Sequence, residues 1–205
     1  MNVKNWFRDD PLADDFVREV KATVPWLLAA AVAVACFYGV KNYRAARKAA
    51  ASEAFVSAYT TEELEEAVSK FGGSDAGGAL KLRLAKKYFD GARYQEAMDI
   101  YASVSGENAP DGFADIPEIG KAQCLEAMGG YADALAAYEA FAETNPDSYL
   151  ALSARLGSAR VLAQLGEKDK ALARLAEIKA SVKGDSVSEA RVDAVEDCVK
   201  RYEAR

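Results

Sequence analysis

The chain contains no histidine. Histidine general bases, histidine-activated serine or cysteine nucleophiles and the commonest nitrogen ligand for transition metals are therefore out of reach. Cys36, Cys124 and Cys198 lie far apart with no CxxC spacing, so neither a zinc site nor a disulfide framework is signalled. Acidic groups occur close together at Asp9-Asp10, Asp14-Asp15 and Glu62, Glu63, Glu65 and Glu66. The first two pairs fall in a short N-terminal tail. The glutamates read as the solvated face and first turn of a helix, with no apolar cleft to tune a carboxylate for acid–base work. The glycines of residues 72–78 have no GxxxxGK[ST] pattern, no preceding strand and no lysine to hold a phosphate. No catalytic residue, cofactor or metal site is assigned, no small-molecule substrate is expected, and the chain reads as a non-enzyme.

Charge narrows the partners. Of 26 basic and 32 acidic residues, the first 50 positions hold eight and five, and the remaining 155 hold 18 and 27. An acidic globular part lacks the clustered lysine and arginine that phosphate binding needs, so nucleic acid is not an expected partner.

Residues 22–40, Ala22 to Val40, contain no charge and are bracketed by Lys21 and Lys41. As a helix this run reaches roughly 28 Å, the thickness of a hydrocarbon core. Trp26 near its start and Phe37, Tyr38 and Tyr43 near its end suit the two membrane interfaces. Pro25 fits the first turn, where a missing N–H costs little. A cleaved secretory signal does not fit a leader of 21 residues that includes five acids. Ala33-Val34-Ala35-Cys36 has the small residues of a lipidation site, but the apolar run continues through Val40, so Cys36 reads as a membrane-buried thiol. Four basic residues flank each end of the run, leaving orientation open on charge alone.

Beyond residue 77 the chain repeats at an interval of 37. LRLAKKYFDGARYQEAMDIYASV (82–104), IGKAQCLEAMGGYADALAAYEAF (119–141) and LGSARVLAQLGEKDKALARLAEI (156–178) align without gaps. Ala85, Ala122 and Ala159 correspond, as do Ala97, Ala134 and Ala171, and Tyr101, Tyr138 and Leu175. Gly129 and Gly166 mark equivalent turns. Each unit reads as two helices, the second with an apolar stripe such as Ala134, Leu135, Tyr138 and Phe141. Small residues allow close approach and the aromatics fill the seam to the next unit. Asn145-Pro146 stops the second helix of the middle unit. Outside the repeats, residues 42–59 read as a helical stretch, Thr61 as the cap of a helix from Glu62 to Phe71, residues 72–78 as a loop, and Asp185 or Ser186 as the start of a final helix bearing Val192, Val195, Val199 and Tyr202.

This pattern resembles the tetratricopeptide repeat, on Leu84-Ala85 and Tyr88, then Gly130-Tyr131, Ala134, Tyr138 and Pro146. The spacing of 37 in place of 34 and the lack of a tryptophan in the first helix are departures from that family. The resemblance implies an all-α protein: an N-terminal single transmembrane helix, then a tetratricopeptide-like α-solenoid with a C-terminal capping helix. The expected organisation is a tail (1–21), the membrane helix (22–40), linker helices (41–76), repeats over 77–182 (about 77–110, 115–147 and 148–182) and the cap (185–205). The family's groove positions fall on Leu82, Lys86, Phe89 and Asp90; on Ile119, Gln123, Glu126 and Ala127; and on Leu156, Arg160, Ala163 and Gln164. Of these, Leu82, Lys86, Phe89, Asp90, Gln123, Glu126, Arg160 and Gln164 are the candidate partner-binding residues. Lys86 and Arg160 are suited to holding a carboxylate and Phe89 to anchoring an apolar side chain. The family's clamp for a chaperone's C-terminal carboxylate is missing, with Ser153 and Gly157 where basic residues are needed.

Tail, single span, linker and acidic repeat domain together are similar to the ancillary-subunit family of the Sec translocon (YfgM-like proteins). That likeness implies a single-pass protein of the bacterial inner membrane with its repeats in the periplasm. Its implied partners are proteins: translocon subunits, periplasmic chaperones or client polypeptides. A structural scaffold of the bacterial envelope, serving cell division, outer-membrane assembly or surface appendages, is the alternative.

Overall fold

The computed structural model describes residues 11–73, 77–104, 109 and 112–202. Asp9-Asp10, Ser74-Asp75-Ala76 and the last three residues of the expected cap lie outside them. Among the described residues there are nine helices and no strand. The chain divides into two compact units, residues 1–49 and 50–205.

The described residues of the first unit are helix. α1 runs Pro11–Ser57 without interruption, so residues 11–21, expected as tail, and residues 42–57, expected as a separate stretch, belong to the same helix as the apolar run. Pro25 accordingly lies inside α1 and not in its first turn. An interior proline removes one backbone hydrogen bond, a loss that apolar membrane helices accommodate more readily than helices in water. Within α1, Arg18–Ser57 is long and apolar enough to cross a membrane, and none of its most apolar stretch is buried. Trp26, Leu27, Leu28, Val32 and Phe37 are all more than 60% exposed, which is not how a core helix presents its apolar residues.

The second unit is built from the end of α1 and eight further helices. α2 (Thr61–Phe71) opens with a capping box: the Thr60 hydroxyl accepts from the Glu63 N–H at 3.2 Å and the Glu63 carboxylate accepts from the Thr60 N–H at 3.1 Å. The cap is thus Thr60 in place of the expected Thr61, because the box needs a glutamate three positions on and Thr61 would find Leu64 there. Then follow α3 (Gly77–Asp90), α4 (Tyr94–Ala102), α5 (Ile116–Ala127), α6 (Tyr131–Thr144), α7 (Ala151–Gln164), α8 (Lys168–Ser181) and α9 (Ser186–Arg201). Gly77 and Gly78, expected in a loop, are buried in the first turn of α3, where it meets the end of α2. Asp185 caps α9, accepting from the N–H groups of Val187 and Ser188.

From α2 onward each helix packs on the next in sequence, and α3 also touches α5, α5 touches α7, and α7 touches α9. The register of 37 explains how. Tyr101 on α4 lies flat against Gly120 on α5, where an ideal Cβ would meet its ring at 2.5 Å. Tyr138 on α6 lies against Gly157 on α7, where the clash would be 2.7 Å. Both rings are at least 96% buried. The tyrosine of one unit therefore requires a glycine in the first helix of the next, and the chain meets that requirement twice, 19 residues after each ring. The turn between paired helices repeats too: Gly129 and Gly166 both have φ +83°, and the matching position of the first repeat is Ala92, at φ +57°. A left-handed conformation costs an L-residue about 1–2 kcal/mol, so the first turn is strained where the other two are relaxed.

Candidate functional site

α3, α5 and α7 present corresponding positions side by side. Lys86, Gln123 and Arg160 are separated by 37 residues each, and Asp90, Ala127 and Gln164 repeat the interval. Lys86, Phe89, Gln123, Glu126, Ala127, Tyr131, Arg160 and Gln164 line one open cleft of about 550 Å³. Six of the eight candidate residues thus share this surface. A second cleft of about 530 Å³ is lined by Phe55, Ala79, Leu82, Arg83, Lys86, Tyr101, Phe113 and Ile116. It holds the seventh candidate, Leu82, and shares Lys86 with the first. Asp90 lines neither cleft; it forms an ion pair with Lys86 one turn away.

The groove positions Ile119, Leu156 and Ala163 are corrected by burial. They are 4%, 4% and 7% exposed and belong to the core. Apolar groups on the inner side of a first helix are taken up by the second helix and by the neighbouring repeat, so from α5 and α7 it is Gln123, Glu126, Ala127, Arg160 and Gln164 that reach the cleft.

The floor of the first cleft is a charge network. Arg160 donates to Glu126 through Nε at 2.5 Å and Nη2 at 2.6 Å, a bidentate bridge from α7 to α5. The Tyr138 hydroxyl donates to the same carboxylate at 3.0 Å. The Glu126 side chain is only 10% exposed and that of Arg160 33%. These hydrogen bonds raise the Arg160 guanidinium further above its ordinary range, while burial and then the Glu126 charge push the Tyr138 hydroxyl up. The carboxylate that Arg160 holds is therefore Glu126, and Lys86 carries an internal carboxylate in Asp90. The two pairs differ in strength. Lys86 and Asp90 are 64% and 54% exposed, where an ion pair contributes about 0–1 kcal/mol, whereas removing one member of a desolvated bidentate pair costs about 3–5 kcal/mol.

Gln164 donates through Nε2 to the Tyr202 hydroxyl at 3.3 Å, and its Oε1 is buried with no partner among the described residues. Phe89 and Tyr131 add aromatic surface to the lining, and the Phe89 ring meets Tyr94 edge-on at 5.3 Å.

Thiol chemistry is not poised here. Cys124 is fully buried, and burial pushes its thiol up to about 11, which keeps it protonated at neutral pH. Among the described residues no group of three or more cysteine, aspartate or glutamate side chains is arranged to hold a metal ion.

Tyr131, Phe55, Phe113 and Ile116 were not among the expected site residues. Phe113 sits in the connection between α4 and α5, Ile116 opens α5 ahead of the aligned stretch, and Phe55 lies at the end of α1, so the repeat register gave no signal for them. No protein-family model, no curated protein and no solved structure matches the chain.

Proposed function

We propose that the chain is a membrane-anchored adaptor whose second unit is a tetratricopeptide-like α-solenoid that holds protein partners along α3, α5 and α7. The observation that carries this reading is the alignment of Lys86, Gln123 and Arg160, one helical position repeated three times, on a single open cleft. Repetition of a surface position gives an extended partner a succession of equivalent contacts, as stacked helical units do. The exposed apolar stretch of α1 serves as the anchor in this reading.

The layout of one span followed by an acidic repeat unit, with its resemblance to the ancillary subunits of the Sec translocon, leads us to assign the anchor to the bacterial inner membrane and the repeats to the periplasm. The partners are then translocon subunits, periplasmic chaperones or emerging client chains. Protease treatment of spheroplasts tests the compartment: digestion of residues 58–205 from outside is expected, and full protection overturns the assignment. Purification of the detergent-solubilised full chain tests the partner. Channel subunits or periplasmic chaperones support it; cell-division, cell-wall or appendage proteins in their place support an envelope scaffold and overturn it.

A further inference from the structure

The cleft at Leu82 differs in kind from its neighbour. Phe55, Leu82, Tyr101, Phe113 and Ile116 make its walls almost wholly of carbon. Phe55 and Phe113 are 38% and 48% exposed there, leaving apolar surface open to water around a hollow of about 530 Å³. That space accepts one or two bulky side chains, and an aromatic residue entering it would lose roughly 150–250 Å² of exposed surface.

Its rim is positive. The Arg83 guanidinium lies over the Phe55 ring at 5.2 Å and near the Tyr59 ring at 5.8 Å, and donates to the Phe55 carbonyl. It has no carboxylate partner among the described residues. Among the described residues Lys86 pairs with the exposed Asp90. α3 as a whole carries Lys81, Arg83, Lys86 and Lys87 against Asp90, within residues 51–205 that hold 18 basic and 27 acidic residues. The helix bordering this apolar opening thus carries four basic residues against one acid, within a unit that is acidic as a whole.

We propose that this cleft takes an acidic–apolar peptide segment: a leucine or phenylalanine in the hollow, with a neighbouring carboxylate meeting Arg83 and Lys86. Charge complementarity selects the acid, and the walls select the apolar residue. A peptide fits better than a fatty acid, because Lys86 also borders the polar cleft, where the Gln123 amide suits a continuing peptide backbone and gives a hydrocarbon tail nothing. Asp90 is then an internal competitor for Lys86. This rests on the adaptor reading and specifies the chemistry of its partner.

The test uses the full chain in zwitterionic lipid nanodiscs and the fluorescein-labelled peptide Gly-Ser-Glu-Leu-Phe-Glu-Ser-Gly, read by polarisation against empty nanodiscs. Saturable binding is expected, several-fold weaker when glutamine replaces both glutamates and lost when serine replaces leucine and phenylalanine. Asp90→Asn should tighten binding about two- to fivefold by releasing Lys86, and Lys86→Glu should weaken it by a similar factor or more. Both residues are exposed, so neither change threatens the fold. Phe113→Ser, at a half-exposed position, should remove binding with helicity unchanged. Equal affinity for the glutamate and glutamine peptides, indifference to both charge variants, or no peptide binding alongside Phe113-dependent binding of oleate would each overturn the proposal. Photocrosslinking of cellular proteins from Gln123 separates the two levels. Crosslinks without peptide binding reject only the peptide class, whereas absence of both rejects the adaptor reading as well.

Discussion

Gly157→Ala isolates the contact that sets the stacking of successive units. The added methyl would lie 2.7, 2.8 and 2.9 Å from three carbons of the Tyr138 ring, against an optimal separation of about 3.5–4.0 Å, so nearly 1 Å must be opened. Little around the ring can give. Tyr138 is 1% exposed, and its hydroxyl is tied at 3.0 Å to Glu126, which Arg160 holds in turn. Overpacking of this kind costs about 1–3 kcal/mol, and loss of the hydroxyl bond adds about 1 kcal/mol. Alanine's better helix propensity returns about 1 kcal/mol. The net expectation is a destabilisation of about 1–3 kcal/mol, or roughly 3–9 °C in the unfolding midpoint of a unit this size. Thermal unfolding of the full chain in micelles, followed by circular dichroism, reads it. Gly91→Ala is the control, since its added methyl would find nothing nearer than 3.4 Å and should move the midpoint little. Tyr138→Leu in the Gly157→Ala background should recover part of the loss, with a coupling of about 1 kcal/mol in the double-mutant cycle. A Gly157→Ala protein as stable as the parent, or strictly additive effects of the two substitutions, would refute the proposed ring-on-glycine packing.

Other expectations follow from the same contacts. Ala92→Gly should stabilise by up to about 1 kcal/mol, because φ +57° is relaxed for glycine alone, while Gly166→Ala should destabilise by about as much; denaturant midpoints of the two variants check the opposite signs. Arg160→Met should cost about 3–5 kcal/mol by stranding Glu126, and Arg160→Met with Glu126→Met should cost clearly less, as measured by thermal unfolding. Burial lifts Cys124 to about 11 and Tyr101 to about 12, above their ordinary 9.0 and 10.0. Their neutral forms favour the folded state, so the unfolding midpoint should be insensitive to these groups below pH 9 and fall as pH rises through 11 to 12. Replacing Tyr101 by phenylalanine should shallow that fall.

The repeat made much of the second unit legible. Ala85, Ala97, Ala122, Ala134, Ala159 and Ala171 all lie in the core, and all are 1% exposed or less. Positions that obey a fixed interval inherit one environment, so their roles follow from alignment alone. The same register carried the glycines opposite Tyr101 and Tyr138, but a residue without a side chain leaves no apolar pattern to notice. It also contained the strained Ala92, which looked ordinary because alanine is a helix former. Two features escaped for different reasons. The Glu126–Arg160 bridge joins positions that are not equivalent in the repeat, so no periodicity announces it. The apolar cleft draws on Phe55 and Phe113, one at the end of α1 and one in a connection, brought together only by folding. Pro25 shows the opposite error: local propensity favours it at a helix start, yet α1 begins at Pro11 and continues through it.

The central claim is that the surface shared by α3, α5 and α7 binds protein. It is tested most directly by placing a photocrosslinking amino acid at Gln123, on the cleft, and at Ala140, exposed on α6, in the whole chain expressed in cells. Irradiation should yield discrete protein adducts from position 123 and none of comparable yield from position 140. Equal yields from both positions, or no adduct from the cleft, would contradict it.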